Sequence, residues 1–417
     1  MRKLVPPLLR DVTFRRFWSG QTVSLFGDQI ALLAVPLTAV LVLHADAAQM
    51  GLLMAAELLP SLLFSLVAGA RVDRRGRRRR TMIIADVGRA VLMATVPVGY
   101  LLGILSLPQL YLVAFLTGTF DVLFFVSYNT LFVSMVPPDR YVEGNSLLNG
   151  SRAMSFVGGQ SVAGVLVSLL TAPGALLLNG LSFVASAVAL ARIHPDEPPA
   201  AGPGPGQLRA GVTFIARSPV VRAALGATAT VNYFNFVFFA IFVLYVTTRL
   251  HVSPTELGLV LGAGAVGGLI GAAVTTPLTR LVGVGPAFVL SCVVFPAPLL
   301  LVPLAAGSRP AILALLFLAE FGSGLGVMVL DISIGSIFSA VIPDELRSRV
   351  SGAYRTVNYG VRPLGALTGG ALGTVLGLRT TLWIAAAGGL LCVLWTLAGP
   401  LRHLKTLPAT PVAVAAE

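Results

Sequence analysis

Five carboxylates and three arginines stand inside stretches otherwise apolar enough to lie in hydrocarbon: Asp28, Glu57, Asp121, Glu320 and Asp331, with Arg152, Arg355 and Arg362. An ionisable group at such a place is costly, so it must be paired, hydrated or used. Counted at about 1.5 Å per helical residue, Asp28, Asp121, Glu320 and Arg362 come out near one level, halfway through their spans. A carboxylate held there, reached by water from one side and then the other, can take up a proton and release it. Asp28, Glu57, Asp121 and Glu320, with Arg362, are therefore the candidates for carrying protons or binding a charged ligand. Competing structural roles are a plain hydrogen bond for Asp28 and permanent arginine pairs for Glu57 and Asp121. Glu320 could neutralise Arg362. Asp331, eleven residues after Glu320 and about 16 Å further along the same face, is expected to pair with Arg355. Asp86 and Arg89, one turn apart, should pair as well.

Around these charges lie amides and rings. Asp121, Phe125 and Tyr128 share a stripe with Asn129 beside them, Gln29 follows Asp28, and Asn232, Asn235 and Phe238 sit in a later aromatic run. Such a mixture could line a cavity for a large amphipathic ligand through stacking and cation attraction. Other chemistries are closed. Lys3 and Lys405 are the only lysines, so neither a G-x-x-x-x-G-K phosphate loop nor a buried Schiff-base lysine exists. Cys292 and Cys392 each lie inside an apolar run, and His44, His194, His251 and His403 have no metal-ligand spacing. Nucleophile–base pairs at a shared depth are also lacking, so no metal, no cofactor and no enzymatic activity are expected.

The elements that position these residues follow from composition. Of 417 residues, 56% are hydrophobic and 11% charged, against roughly a quarter charged in a soluble domain. A span needs about 20 apolar residues. Twelve emerge, near 17–43, 49–70, 81–103, 107–136, 145–170, 174–192, 222–248, 255–279, 286–305, 310–340, 350–376 and 380–399. The net charge of +12 reflects topology and not nucleic-acid binding. If the amino terminus is inside, inner loops hold the run Arg71 to Arg80 and most other basic residues, while outer loops hold only Arg249, Arg309 and Arg379. The positive-inside rule then places both termini in the cytoplasm.

An offset of 207 residues superimposes Leu43, His44, Gly51 and Leu52 on Leu250, His251, Gly258 and Leu259, and Gly76 on Gly283. The chain is thus a duplicated six-helix unit: an amino-terminal bundle over 1–192, a cytoplasmic linker over 193–217 rich in Pro and Gly, and a carboxy-terminal bundle over 218–417. The same offset sets Asn235 against Asp28 and Arg280 against Asp73, so both acids belong to one half only.

The loop after the second span, Gly69-Ala70-Arg71-Val72-Asp73-Arg74-Arg75-Gly76-Arg77-Arg78, resembles the G-x-x-x-D-R-x-G-R-[RK] signature of the major facilitator superfamily. Phe14-Arg15-Arg16-Phe17-Trp18, Gly27-Asp28, Pro138-Asp139-Arg140 and Pro343-Asp344-Glu345-Leu346-Arg347 are similar to the macrolide-efflux and siderophore-exporter branch of its drug:proton antiporters. A Gly-Pro pair common in the fifth span of these antiporters is replaced by Gly158-Gly159-Gln160.

The resemblance implies an all-α polytopic membrane protein of twelve transmembrane helices in two pseudo-symmetric six-helix bundles. It also implies a conformational latch at Gly69, Asp73, Arg74, Gly76 and Arg77, with Asp139, Asp331, Arg347 and Arg355 as further latch candidates. The expected activity is proton-driven export of a lipophilic or amphipathic small molecule from the inner membrane by a monomer, with protons, the substrate and lipid as its partners. Two alternatives are an exporter of an anionic siderophore or metabolite using Arg152 and Arg362, and a non-transporting sensor or scaffold.

Overall fold

The computed structural model describes residues 6–195, 208–397 and 399–404; at 66–67, 69–71, 73–75, 208–211 and 348 it describes the backbone only. The elements are α1 (Val12–Leu37), α2 (Ala47–Arg75), α3 (Arg78–Leu101), α4 (Leu107–Met135), α5 (Tyr141–Leu170), α6 (Ala172–Ala191), a short amphipathic α7 (Leu208–Arg217), α8 (Pro219–Thr248), α9 (Pro254–Val282), α10 (Val284–Val294), α11 (Leu301–Leu304), α12 (Arg309–Val341), α13 (Asp344–Val375), α14 (Leu378–Gly389) and α15 (Cys392–Leu397). Among the described residues, eleven helical stretches are long and apolar enough to cross a membrane. The twelfth long helix, α13, has 32 residues, enough length to span, but Asp344, Glu345, Arg347, Arg349, Arg355 and Arg362 dilute its hydropathy. It occupies the place of the eleventh span expected from the sequence.

Helix starts follow local chemistry. The Asp11 carboxylate accepts from the Phe14 backbone N–H at 2.7 Å and caps α1. Pro occupies the first turn of α4, α6, α8 and α12, where its missing N–H costs nothing. The Phe14-to-Trp18 motif anchors the same end of α1. Phe14 and Phe17 are fully buried against Met82, Leu131 and Leu190, and the Trp18 indole donates to the Leu147 carbonyl at 3.3 Å.

The duplication is written into the backbone. Among the described residues, the positive-φ positions fall into pairs at equivalent connections: His44 with His251, Gly76 with Gly283, Gly103 with Gly307 and Thr171 with Gly377. His44 and His251 share φ 52°, so the same left-handed turn recurs where an L side chain is disfavoured.

Two compact units result. The first is built from α1, α3 to α6, most of α2 and the first turns of α9; the second from α8, α10 to α15, the rest of α9 and the first turns of α2. In the first unit, a Cβ on Gly258 of α9 would stand 2.6 Å from the Gln160 carbonyl of α5 and 2.8 Å from Gly164 Cα. In the second, a Cβ on Gly51 would meet the Ala366 carbonyl of α13 at 2.7 Å and Gly370 Cα at 2.8 Å. Backbone this close admits only glycine.

Candidate functional site

The first unit is hollow where its acids lie. Two cavities share Asp28 and Asp121 as a common wall. The larger, about 310 Å³, is bounded by α1, α2, α3, α4 and α6 and lined by Gln29, Glu57, Thr117, Asn179 and Phe183 among others. The smaller, about 190 Å³, is lined by Gln21, Ser24, Arg89, Phe125, Tyr128 and Arg152. Asp28 reaches both because it stands mid-way along α1 with the buried, side-chain-free Gly27 before it, where a Cβ would collide with Ser182 of α6.

Arg89 of α3 holds the site together. Its guanidinium is paired with Asp86 through Nη2 and donates from Nη1 to Asp121 Oδ1 at 2.5 Å. The rings of Phe124 and Phe183 lie over it, with centroids at 4.5 and 4.2 Å. The two carboxylates differ sharply in surroundings: the Asp86 side chain is 0% exposed, that of Asp121 52%. Asp86 is thus the fixed anchor, and Asp121 the partner open to the hollow. Asp28 feels the charges of Arg89, Asp121 and Asp86, and Glu57 that of Asp121. Among the described residues neither Asp28 nor Glu57 has an ion pair within 4 Å. The expected Asp86–Arg89 pair is therefore present, but its arginine also serves Asp121 from 32 residues away.

The second unit differs at the equivalent position. Asn235, the counterpart of Asp28, borders a hollow of only about 10 Å³ closed by Phe234, Phe295 and Pro296. Asn232 donates to the Thr228 carbonyl at 2.9 Å and to Asn358 Oδ1 at 3.2 Å, tying α8 to α13. Phe238 borders none of these three hollows: it is fully buried and stacked on Phe242 at 5.5 Å, because the helix turns that face into the interior. Asn129 is exposed and borders neither cavity of the first unit.

Glu320 is 6% exposed and its Oε1 has no hydrogen-bond partner. It lies against Gly264 of α9 and does not neutralise Arg362. That arginine instead stacks on Tyr359 and Phe236, at 4.7 and 5.3 Å from their centroids, with Nε unpartnered. Asp331 is exposed and makes no ion pair with Arg355; the cation that acts on it is Arg362. The reason is rotational: helix position sets depth, while packing sets which face meets which neighbour.

Of the latch candidates, Gly76 takes φ 61° at the turn between α2 and α3, and Arg77 is exposed. Gly69, Asp73 and Arg74 are described by their backbone alone, within α2. Asp139 is exposed in a short 3-10 turn. Arg347 pairs locally with Asp344 at 2.6 Å and donates to the Ser339 carbonyl at 3.0 Å, and Arg355 is exposed.

Thr117, Asn179, Phe124 and Phe183 were not singled out by sequence reasoning. A signal existed for two of them. Thr117 stands one helical turn before Asp121, and Asn179 is an amide inside the apolar run 174–192.

Among the described residues, eleven helical stretches long and apolar enough to cross a membrane, with acids lining hollows between them, are the arrangement of a polytopic membrane protein. Residues 4–415 match the family of transmembrane secretion effectors of the major facilitator superfamily, and the chain belongs to that family. It is similar to the multidrug efflux pump Tap of Mycolicibacterium fortuitum, 28% identical over 384 residues covering 85% of this chain and 88% of that protein. It is also similar to the MFS-type transporter YfiS of Bacillus subtilis (strain 168), 23% identical over 396 residues, 91% of each. Among solved structures, a bacterial homologue of the iron transporter ferroportin in its inward-facing state aligns with a TM-score of 0.74 and 18% identity, over 94% of this chain and 99% of that one. The nucleoside transporter NupG aligns at 0.72 and 12%, over 93% and 98%. Both likenesses concern the fold. The chain is a multi-pass membrane transporter and not an enzyme.

Proposed function

We propose that this transporter exports lipophilic or amphipathic small molecules across the cytoplasmic membrane by proton antiport, acting as a monomer with both termini in the cytoplasm. The halves 1–192 and 218–417, joined by 193–217, alternate the side from which the acids are reached. The observation that carries this reading is the pair of hollows sharing Asp28 and Asp121, with Asp28 free of any ion pair and Asp121 held on one side only. Substrate enters from the cytoplasm while these carboxylates are ionised, and protons from outside then displace it. The latch at Gly69, Asp73, Arg74, Gly76 and Arg77 forms and breaks between the two states. Support for export comes from the efflux pumps among its relatives, and for the orientation from the basic inner loops.

In proteoliposomes loaded with a pH-sensitive dye, adding ethidium should release protons, and Asp28→Asn should abolish the release while leaving the protein folded. Unchanged coupling in that variant would remove Asp28 from the mechanism. A second reading, export of an anion, is favoured by Arg152 lining the smaller cavity and by the unpartnered Arg362 Nε. Competition by anionic and not cationic compounds would select it.

A further inference from the structure

We infer that the end of the first unit where α1, α3 and α6 meet is a binding site for an anionic phospholipid, its phosphate held by arginines and its acyl chains laid along the outer faces of α3 and α6. The inference goes beyond the transport reading and stands apart from it. At this end the last carbonyls of α6 have no intrahelical partners, and guanidiniums from two other helices are fastened on them. Arg79 of α3 donates from Nε to the Leu190 carbonyl at 2.8 Å and from Nη2 to the Ala191 carbonyl at 2.7 Å. Arg16 of α1 donates from Nη1 to the Arg192 carbonyl at 2.8 Å. Three successive carbonyls thus gather two cations at one spot, and the exposed side chains of Arg80 and Arg192 belong to the same helix ends. A helix C-terminus carries only about half a negative charge, so the spot stays strongly positive. Among the described residues, Arg16, Arg80 and Arg192 form no ion pair within 4 Å, and Arg16 keeps N–H donors beyond the one it has used. Positioned guanidiniums with donors to spare fit the oxygens of a phosphate.

What makes the ligand a lipid and not a free phosphate is the apolar lane that leads away from the arginines. Arg80 is followed on one face of α3 by Ile84, Val87 and Val91, and Arg192 is preceded on one face of α6 by Val188, Val184 and Leu181. These apolar side chains are all exposed. The two helices run antiparallel and touch: a Cβ on Gly180 would stand 3.4 Å from the Ala90 carbonyl and 3.6 Å from Met93 Cβ. Each stripe extends about 16 Å from its arginine, the depth of one leaflet of a hydrocarbon core about 30 Å thick. Topology alone is served by basic residues anywhere in a loop and does not require them to be tied to one helix end. The repeat draws the same distinction. Arg15 donates to the Leu9 carbonyl at 3.5 Å, and Arg222, its equivalent under the offset of 207, donates to the Ala216 carbonyl at 2.8 Å, so that arginine is a local tie common to both halves. Arg16, Arg79 and Arg80 fall instead on Ala223, Pro286 and Ala287, and the second unit does not repeat the cluster.

The test uses the full chain purified in detergent and native mass spectrometry, titrated with palmitoyl-oleoyl phosphatidylglycerol and with phosphatidylcholine bearing the same chains. One arginine near an anionic headgroup is worth about fivefold, so phosphatidylglycerol should bind at least about tenfold more tightly. Arg80→Gln combined with Arg192→Gln alters two exposed side chains and should cut that preference at least about fivefold. Arg140→Gln combined with Arg217→Gln takes the same charge from exposed positions elsewhere and should leave the preference within about twofold. sn-Glycerol 3-phosphate in about tenfold excess should leave the lipid bound, because it lacks the chains that fill the lane. Equal binding of the two lipids overturns the proposal, as does a control pair that cuts the preference as deeply as the Arg80 and Arg192 pair. Displacement by the soluble phosphate ester overturns the assignment to a lipid. The comparison of lipids on the unaltered protein decides the matter even if a variant fails to fold.

Discussion

Removing either carboxylate from Arg89 should have very different consequences. In Asp86→Ala, Arg89 loses a partner that is itself fully buried, and a guanidinium only 4% exposed keeps one pair, with the half-open Asp121. Breaking a buried pair by deleting one partner costs about 3–5 kcal/mol. The Phe124 and Phe183 rings lie over the cation before and after the substitution, so they leave that difference unchanged. In Asp121→Ala the buried Asp86–Arg89 pair survives, and a pair whose acid is 52% exposed is screened by water, so the loss should stay near 0–1 kcal/mol. At roughly 2–4 °C per kcal/mol, a fluorescence melting assay in detergent should show Asp86→Ala lowered by on the order of 10 °C and Asp121→Ala nearly unshifted. Asp86→Ala combined with Arg89→Leu should recover much of the loss, because no buried charge is then left unmatched. Transport should fail in Asp121→Ala despite its stability. Equal destabilisation by the two single variants would refute the division into fixed anchor and open partner.

Four further outcomes follow from the packing. Gly258→Val should fold poorly, since the new side chain meets α5 backbone that cannot yield, whereas Gly150→Ala, with nothing within 4 Å, should hold or gain up to about 1 kcal/mol in helix propensity; melting temperatures separate the two. His44→Gly and His251→Gly should each stabilise by about 0.5–1 kcal/mol by relieving the left-handed backbone, measured by the same assay. Glu320→Gln should melt at or above the unaltered protein, because no cation within reach balances the buried carboxylate; a drop of several degrees would mean that its charge is structurally required. Arg362→Lys should lose stability through the stacking on Tyr359 and Phe236, by roughly 0.5–1 kcal/mol.

Span positions and the repeated left-handed turns were legible in the amino-acid order, because hydropathy and tight turns are local properties. The equivalent left-handed turns at His44 and His251 needed only a fixed offset to be paired. The level of Asp28 and Asp121 needed only a count of residues. What local order left open was rotation and partnership. Arg89 was legible as a neighbour of Asp86 one turn away, yet its bond to Asp121 depends on how α3 and α4 pack. Phe238 and Phe125 carry the same ring in similar runs, and packing turned the first into the core and the second toward a hollow. Glu320 and Arg362 share a depth but not a direction, so charge complementarity in the sequence became one acid buried alone and one arginine stacked on aromatic rings. Depth is set by the chain one residue at a time, whereas a cavity exists only where several distant helices fail to fill the space between them.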